Sequence, residues 1–520
     1  MQPDETRFNH NARAGNILKA SLISALCNII NVFMGFGYRT IFLHFLSVEY
    51  LGLSGLFANI LNLLSLAELG ITTSISFRLY DPVSRDDVKK VGELMRFFKR
   101  IYSLIAVTVT GLGLLFLPFV KTLIKDTAEI PPDIHIYGIY LLFLAQTASS
   151  YLFSYRQALL SADQKQYVCS CLNTGVHFFR YSLQTAALIL WRAYTVSLVT
   201  GILITIILNY MISIWIKETY HPVFRVSSGL TQKEIKEIYR DTRATLLHKI
   251  GGTVLTSTDN IILAKYIGLS VTGLYSNYSM VFSNMTTLVT QIFTSFTSSL
   301  GNAHVELEED ARYKLYLRLL FLNFGGVGLI TSCLYVLIND FIGLWLGRSM
   351  QLDNRTVMAL CIQFYLEMAR SISGSYTSAC GLFARDKARP VIEAVLNIAV
   401  SIAAVRRIGL AGVFVGTIIS HMATVVWREP LLLYRWEFKK PVSEYWIRYV
   451  KNGFITAIAA FITFYIKQTW FDVPVTIMAW IGLGALASFV YAIIFAAANL
   501  YNEEFIFYIN LLKTLFTKRK

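Results

Sequence analysis

Three apolar stretches of this chain each carry a charged side chain near their middle. The three positions are Arg180 in Val168–Leu190, Asp259 in Leu246–Ile267 and Arg370 in Thr356–Phe383. A charge at the depth of a bilayer core costs at least about 2.5–3.5 kcal/mol on insertion scales, so it is retained mainly in a bundle interior, a water-filled cavity or an ion pair. An arginine can donate paired hydrogen bonds to phosphate oxygens. The pattern favours a polar, partly cationic cavity inside a membrane.

Two more ionisable residues lie one helical turn from these arginines. Glu367 precedes Arg370 by three residues on the same helix face, where it could neutralise the arginine as a structural pair. His177 precedes Arg180 by three residues and could titrate near neutral pH or be hydrogen-bonded in the interior. Asp259 has two interpretations as well. It could couple an ion or form a salt bridge between lobes, or it could be a structural partner of Arg180.

These charges lie in a chain that is predicted to cross a membrane many times. Hydrophobic residues make up 55% of its 520 residues and charged residues 15%, whereas about 25% of residues are charged in soluble domains. Apolar runs of about 20 residues predict transmembrane helices. The fourteen predicted helices are Asn16–Tyr38, Tyr50–Ile71, Phe97–Ile124, Ile134–Tyr155, Val168–Leu190, Tyr194–Ile216, Leu246–Ile267, Val271–Leu300, Leu315–Ile338, Thr356–Phe383, Ala388–Val405, Leu410–Trp427, Ile447–Ile466 and Val475–Leu500. We therefore expect an all-α polytopic membrane protein without room for a soluble catalytic domain of ordinary size.

Lysine and arginine set the predicted orientation. They concentrate in alternate loops, and such residues favour the cytoplasmic side, so both termini are predicted to be cytoplasmic. The net charge of +15 then follows from this topology and from anionic membrane lipids as partners, and no nucleic acid is needed to explain it. The first apolar run is expected to be retained. The six cysteines lie mostly inside predicted helices, without paired CxxC motifs, so neither a metal site nor a cofactor is predicted.

A polar connection after the sixth predicted helix, Lys217–Arg243, divides the chain. Within it Thr231 and Glu234 have the spacing of a capping box, and apolar residues follow at helical spacing. Two interpretations stay open: an amphipathic surface helix that joins two halves, or the capped start of the seventh helix. The predicted divisions are an N-terminal lobe at 1–216, a cytoplasmic amphipathic connector at 217–245, a C-terminal lobe at 246–427, and two further helices with a basic tail at 428–520.

A weak internal repeat supports two related halves. The segment 46–54 reads Leu-Ser-Val-Glu-Tyr-Leu-Gly-Leu-Ser, and the segment 269–276 reads Leu-Ser-Val-Thr-Gly-Leu-Tyr-Ser. Both follow an inward-to-outward predicted helix, so the repeat would be parallel, about a pseudo-two-fold axis along the membrane normal. Two six-helix lobes would then enclose a central cavity, with the last two helices outside them.

Three stretches carry a resemblance to a known family. They are Phe45–Phe57 (FLSVEYLGLSGLF), Leu66–Ile75 (LAELGITTSI), and Thr258–Gly268 (TDNIILAKYIG), which leads into Gly273–Ser276 (GLYS). Together with the helix count, the chain resembles the polysaccharide flippases of the multidrug/oligosaccharidyl-lipid/polysaccharide exporter superfamily. The resemblance implies two V-shaped lobes that rock about a central cavity.

The resemblance also implies a function. Such a protein is a transporter rather than an enzyme, and it flips an undecaprenyl-diphosphate-linked oligosaccharide from the inner to the outer leaflet of a bacterial cytoplasmic membrane by alternating access. The pathway would be capsule, O-antigen or exopolysaccharide synthesis, in which a polysaccharide polymerase could act as a partner. Arg180 and Arg370 are the leading candidates to hold the diphosphate. Lys249 and Arg78, near inner helix ends, could attract it on entry, or could be interface residues whose side chains reach the headgroups.

Other function classes fit the sequence less well. The chain contains no GxxxxGK[ST] phosphate-binding loop and no HExxH or GxSxG pattern. A multidrug or cation antiporter of the same superfamily is the nearest alternative, but a cationic substrate would favour an acidic cavity without central arginines. A membrane polysaccharide polymerase is a more distant alternative, because its usual large outer loop is missing from the predicted topology.

Overall fold

The structure, a computed structural model, is helical throughout the part of the chain that it describes. The described residues are 13–65, 71–296, 300–301, 304, 306–386, 388–470 and 476–517. They contain helices and turns and no β-strand, which confirms the predicted all-α fold. The chain forms two compact units, Met1–Gly273 and Leu274–Lys520. The predicted lobe boundaries stay a prediction, because the packing of one conformation does not show which helices move together.

Helices of the first unit pack around one apolar core. They are α1 (Arg13–Phe45), α2 (Val48–Leu64), α3 (Ile71–Ser84), α4 (Val88–Phe116, continued by a 3₁₀ segment, Leu117–Leu123), α5 (Ile136–Ser154), α6 (Gln157–Ala162), α7 (Gln166–Trp191), α8 (Tyr194–Thr219), α9 (His221–Arg225) and α10 (Gln232–Tyr266), followed by the start of α11 (Leu269–Thr294). Phe57, Phe98 and Tyr140 are fully buried in this core. The hydroxyl of Tyr140 donates to the carbonyl of Gly113 at 3.1 Å, since a buried O–H group needs an acceptor.

The second unit contains two broken helices. Its helices after α11 are α12 (Glu309–Leu346), α13 (Asn354–Met368), α14 (Ser371–Ala379), α15 (Arg389–Ile408), α16 (Leu410–Ala423), α17 (Val425–Leu433, continued by a π-helical turn, Tyr434–Phe438), α18 (Ser443–Trp470), α19 (Ile477–Asn499) and α20 (Glu503–Thr517). Eight described segments of the whole chain are long and apolar enough to cross a membrane. The predicted count of fourteen is compatible with this fold and stays a prediction, because the remaining candidates are broken or more polar.

The sequence boundaries differ from the structure at two broken helices. The predicted tenth helix, Thr356–Phe383, is divided into α13 and α14, and Arg370 lies at the break as the residue before α14. The predicted twelfth helix, Leu410–Trp427, is divided into α16 and α17 at Thr424 and runs on to Phe438. Freed backbone groups inside a membrane are tolerated where protein surrounds them. Breaks of this kind mark binding sites in many transporters.

The polar segment after α8 is not a separate surface helix. The capping box forms as predicted, with the Glu234 amide donating to Thr231 Oγ1 at 3.4 Å and the Thr231 amide donating to Glu234 Oε2 at 2.9 Å. It begins α10, a single helix that runs from Gln232 to Tyr266. Of the two interpretations, the capped start of the seventh predicted helix is therefore the correct one for the segment after Thr231. The Lys90 ammonium also binds Glu234, and it holds the pKa of this carboxyl at about 2.

Two further helices, α3 and α20, lie almost entirely outside the fourteen predicted helices. Helix α3 occupies the polar stretch after α2 and contains Arg78. Helix α20 replaces most of the predicted basic tail, because Glu503 and Glu504 start a helix with an apolar stripe. Helix α4 begins at Val88 and so extends the third predicted helix, Phe97–Ile124, at its start. Asp87 caps it, with its carboxylate accepting from the Lys90 amide at 2.9 Å.

Within the first unit, the beginning of α2 crosses the turn between α10 and α11. A Cβ on Gly52 would overlap the carbonyl oxygen of Leu269, and a Cβ on Gly273 would overlap that of Val48. Gly52 and Gly273 are 221 residues apart, and so are Val48 and Leu269, so the second contact repeats the first with the two segments exchanged. Glu49 and Ser270, whose side chains are hydrogen-bonded at 2.6 Å, are also 221 residues apart. A two-fold axis between the repeated segments would produce matched contacts of this kind. The crossing is therefore compatible with the predicted repeat.

Candidate functional site

Arg180 lies in a cluster of aromatic and basic side chains between α1 and α7. Its guanidinium is 4.7 Å from the ring centre of Tyr181, within cation–π range. Tyr181 also stacks on Tyr38, at 5.0 Å, and on His177, at 6.0 Å. The Arg180 side chain is half-buried, and its Nε has no hydrogen-bond acceptor among the described residues. Among its described contacts no carboxylate neutralises the charge.

A second arginine belongs to the same cluster. Arg39 lies among the electrostatic neighbours of Tyr38 and Tyr181. The predicted first helix ended at Tyr38, which placed Arg39 outside the membrane segment, whereas α1 continues to Phe45. The sequence does contain a sign that Arg39 lies inside the helix, because the apolar residues after Tyr38 continue the helical pattern. The cluster is therefore cationic and aromatic, a combination that suits phosphate oxygens and sugar rings better than cations.

The predicted acid Asp259 lies in α10 and is buried, at 7% exposure. The contacts of Arg180 do not include Asp259, so the structural pairing of these two side chains is not present here. Asp259 therefore stays a predicted ion-coupling or salt-bridge residue, alongside His177 and Glu367.

The two entry candidates are placed differently. Arg78, in α3, lies 3.6 Å from Glu237 of α10, so an acid already balances its charge. Lys249 is half-buried in the middle of α10 rather than at a helix end, because α10 begins at Gln232. The structure brings neither residue into the cluster around Arg180. Their role in substrate entry stays a prediction.

Arg370 is held by an acid that the sequence analysis did not consider. Its Nη1 donates to Glu429 Oε1 at 2.8 Å and to Oε2 at 2.9 Å. Glu429 lies in α17, just beyond the predicted end of the twelfth helix, and is 8% exposed. Glu367 is near enough to act on Arg370 electrostatically but forms no ion pair with it among the described contacts. The pair joins the two broken helices of the second unit.

The Arg370–Glu429 pair continues into a chain of buried charges. Arg389 lies 3.6 Å from Glu429, donates to Glu393 at 2.9 Å and donates to Asp386 at 2.7 Å. At the ends of the chain, Arg428 donates to Asp386 at 3.0 Å and His421 lies 3.4 Å from Glu393. We call these seven residues the C-unit network. A polar stripe at 386, 389, 393, 397 and 401, at spacings of three and four within an apolar helix, was the available sequence signal.

The two sites differ in charge balance, and this difference decides what each can do. The C-unit network contains three arginines and three carboxylates, so its charges compensate one another. Buried pairs of this kind are strongly destabilised by loss of one partner. Arg180 has no such compensation among its described contacts. It can accept an anion, whereas the network is suited to holding α14, α15 and α17 in place or releasing them.

A third group contains side chains of the types that bind metals. His304 Nδ1, Cys380 Sγ and a Glu437 carboxylate oxygen lie within 4.8 Å of one another. The guanidinium Nε of Arg312 lies 3.2 Å from the same Glu437 oxygen that contacts His304. A cation therefore already balances this carboxylate, and the group is arranged as an ion-paired contact.

Three solved membrane transporters have a helical arrangement similar to that of this chain. The lipid II flippase MurJ, in an inward closed conformation, aligns with a TM-score of 0.67 over 93% of this chain and 100% of its own, at 13% identity. An inward-facing multidrug resistance MATE-family transporter of the MOP superfamily aligns with a TM-score of 0.60 over 79% and 98%, at 13% identity. A MOP-superfamily transporter from Pyrococcus furiosus gives 0.55 over 80% and 96%, at 15% identity. The fold is that of MOP-superfamily transporters.

The sequence itself specifies the family more closely. Residues 17–297, more than half of the chain, match the family described as polysaccharide biosynthesis protein. The chain belongs to this family. No curated protein sequence matches it closely enough to count as a relative. The resemblance drawn from the three sequence stretches is confirmed at the level of family and fold.

Proposed function

We propose that this protein flips an undecaprenyl-diphosphate-linked oligosaccharide from the inner to the outer leaflet of a bacterial cytoplasmic membrane. The observation that carries the proposal is the half-buried Arg180, which has no carboxylate among its described contacts and is predicted from the sequence to lie at membrane depth. The membrane fold and the polysaccharide biosynthesis family support it. The product would serve capsule, O-antigen or exopolysaccharide synthesis, with a polymerase downstream.

The chemistry of this substrate matches the first unit. A lipid-linked oligosaccharide has a diphosphate and a hydrated glycan, and both are costly to move through hydrocarbon. Arg180 offers planar paired donors to the diphosphate, and charge-assisted hydrogen bonds of this type contribute about 1.5–3 kcal/mol each. Tyr181 holds the guanidinium by its cation–π contact, and Tyr38 stacks on that ring at 5.0 Å. His177 stacks on the same Tyr181 ring and completes the wall.

A drug or cation antiporter is less well supported by this cluster. Cation binding inside a membrane favours an exposed carboxylate, whereas Arg180 would repel a cationic substrate. The acids of the C-unit network are bound to arginines. We therefore assign the substrate anion to the first unit and the change of conformation to the C-unit network.

Alternating access would require the crossing of α2 with the α10–α11 turn to open. The crossing is tight, because both glycines meet backbone and Glu49 bonds Ser270. Glu129 adds to it by accepting from the amides of Leu269 and Ser270 at the start of α11. In the proposed orientation this crossing closes the outer side. Its few polar bonds can be exchanged for bonds to water, so the opening carries a modest cost.

The proposed orientation predicts which surface residues can be labelled from outside. Cysteine replacing the exposed Lys89 or Lys439 should be protected from an impermeant thiol reagent in intact cells, because both lie in lysine- and arginine-rich inner segments. Cysteine replacing the exposed Ser349 should react. The reagent should label all three after the membrane is opened with detergent. Labelling of Lys89Cys and protection of Ser349Cys in intact cells would invert the topology.

Depletion of the protein tests the proposed function in cells. A complete lipid-diphosphate oligosaccharide should accumulate on the cytoplasmic leaflet, because synthesis continues while translocation stops. The measurement is extraction of lipid-linked glycans, combined with their accessibility to an impermeant glycan-modifying reagent in inside-out and right-side-out vesicles. Accumulation of single units on the outer leaflet would replace the flippase with a polymerase.

A further inference from the structure

We propose that the second unit binds the phosphate group of an anionic phospholipid in a pocket formed by Arg385, Arg389 and Arg428. This pocket has a volume of about 260 Å³ and lies between the start of α15 and the junction of α16 and α17. The inference goes beyond the proposed transport function, since the ligand is a resident lipid rather than the cargo. It rests on unused arginine donors, on the aromatic side chains beside them and on the apolar surface next to the pocket.

The arginines of this pocket have donors to spare. Arg428 uses its Nε for Asp386, at 3.0 Å, and its two terminal nitrogens have no acceptor among the described residues. Arg385 is exposed and makes no hydrogen bond to a described residue. Asp386 is the acid among the lining residues, against three arginines. Two guanidinium groups with free terminal donors at one pocket are the arrangement that chelates a phosphate.

Arg385 is held in place without using its donors. Its guanidinium lies 3.8 Å from the ring centre of Trp436, so the flat face of the group is covered and its edge stays open. Such stacking fixes an arginine and leaves its in-plane N–H groups for a ligand. The pocket also adjoins the N-terminus of α15, a 20-residue helix, where backbone dipoles favour an anion.

The surroundings favour a lipid over a soluble phosphate. Trp427 and Trp436 are both partly exposed beside the pocket, and tryptophan prefers the headgroup level of a membrane. Below them, Ile392 and Val395 of α15 are 58% and 64% exposed, an apolar surface that acyl chains would cover. The pocket therefore presents arginines to a phosphodiester and hydrocarbon to its tail. The proposed topology places this end on the inner leaflet, where anionic lipids are abundant.

The site would also link the lipid to the C-unit network. Asp386 accepts from Arg428 on one oxygen and from Arg389 on the other, and Arg389 continues to Glu393 and Glu429. A phosphate that binds Arg428 would hold the guanidinium against Asp386. Bound lipid should therefore stabilise the break between α16 and α17, where Thr424 and Trp427 line the pocket.

The test is a lipid titration on the purified full-length protein, followed by native mass spectrometry. We expect phosphatidylglycerol to bind the wild type, and the variant Arg385→Gln with Arg428→Gln to bind it about tenfold or more weakly, as loss of charged hydrogen bonds implies. Arg385→Gln alone should weaken binding as well, and it removes no bond to a described residue, so folding is not at issue. The matched control is Arg355→Gln with Arg407→Gln, which removes two exposed arginines elsewhere in the unit.

Two further arms identify the ligand. Phosphatidylcholine should bind the wild type and the variants equally weakly, and inorganic phosphate at millimolar concentration should not displace phosphatidylglycerol. Phosphatidylglycerol should raise the melting temperature of the wild type but not of Arg385→Gln. Equal phosphatidylglycerol affinity in the wild type and both arginine variants would overturn the site. Displacement by inorganic phosphate would overturn the assignment to a lipid.

Discussion

Replacing Arg180 with alanine is expected to abolish most glycan export while the protein reaches the membrane at its normal level. In the proposed mechanism the side chain supplies paired donors to the diphosphate, and loss of charged hydrogen bonds at about 1.5–3 kcal/mol each would reduce transport by tenfold or more. Insertion should not suffer, because removing a charge from bilayer depth lowers its cost. No carboxylate among its described contacts is left unpaired. The measurements are protein level and exported glycan.

Further variants separate substrate binding from a structural role. Arg180→Lys keeps the charge but loses the planar fork, so export should fall partway. Arg192→Gln, at the end of the same helix α7, is the matched control and should export normally. If Arg180 were instead paired with Asp259, Arg180→Ala would be unstable and the double variant with Asp259→Ala would recover. Full export by well-expressed Arg180→Ala would remove this residue from the mechanism.

The opposite behaviour is expected for Arg370. Replacing either Arg370 or Glu429 with alanine should sharply reduce the amount of folded protein, because breaking a buried ion pair costs about 3–5 kcal/mol. The side chains are 26% and 8% exposed, so solvent screens the remaining charge only weakly. The double variant Arg370→Met with Glu429→Leu should recover most of the lost stability, since no uncompensated charge remains. Thermal unfolding in detergent measures this.

A surface pair in the same unit is the control for that experiment. Lys439 and Glu309 are bonded at 3.0 Å, but Lys439 is 71% exposed, and exposed pairs contribute about 0–1 kcal/mol. Lys439→Ala should therefore change the melting temperature little. A stable, well-expressed Arg370→Ala protein that fails in export would contradict this account and return Arg370 to the list of substrate ligands.

The sequence predicted the membrane fold because length and hydropathy of a helix are local properties. It predicted the capping box at Thr231 for the same reason, since the bonded groups lie three residues apart. It did not predict the breaks at Arg370 and Thr424, because each lies inside a long, largely apolar run and no proline or glycine occupies either position. Tertiary contacts between α14 and α17 stabilise these breaks, and they are absent from any local pattern.

The site was predicted in part for a similar reason. Arg180 and Arg370 each lie inside an apolar predicted helix, so both were named as anion ligands. The difference between them depends on Glu429, 59 residues after Arg370 in the chain, and a single sequence does not show such a pairing. Arg39 was missed because the predicted end of the first helix fell one residue before it. In both cases the sequence shows the arginine but not the residues that contact it in the fold.

The central claim is that one protein moves a lipid-linked glycan across a bilayer, and reconstitution tests it most directly. The purified protein would be placed in liposomes that contain a fluorescent undecaprenyl-diphosphate oligosaccharide, and an impermeant reagent would report the labelled lipid on the outer face. The matched negative control is Glu49→Cys with Ser270→Cys, joined by a short bifunctional thiol reagent, because this holds the crossing closed. Wild-type liposomes should expose the inner pool of lipid, and those with Arg180→Ala or the crosslinked protein should not. Equal exposure in protein-free, crosslinked and wild-type liposomes would contradict the flippase.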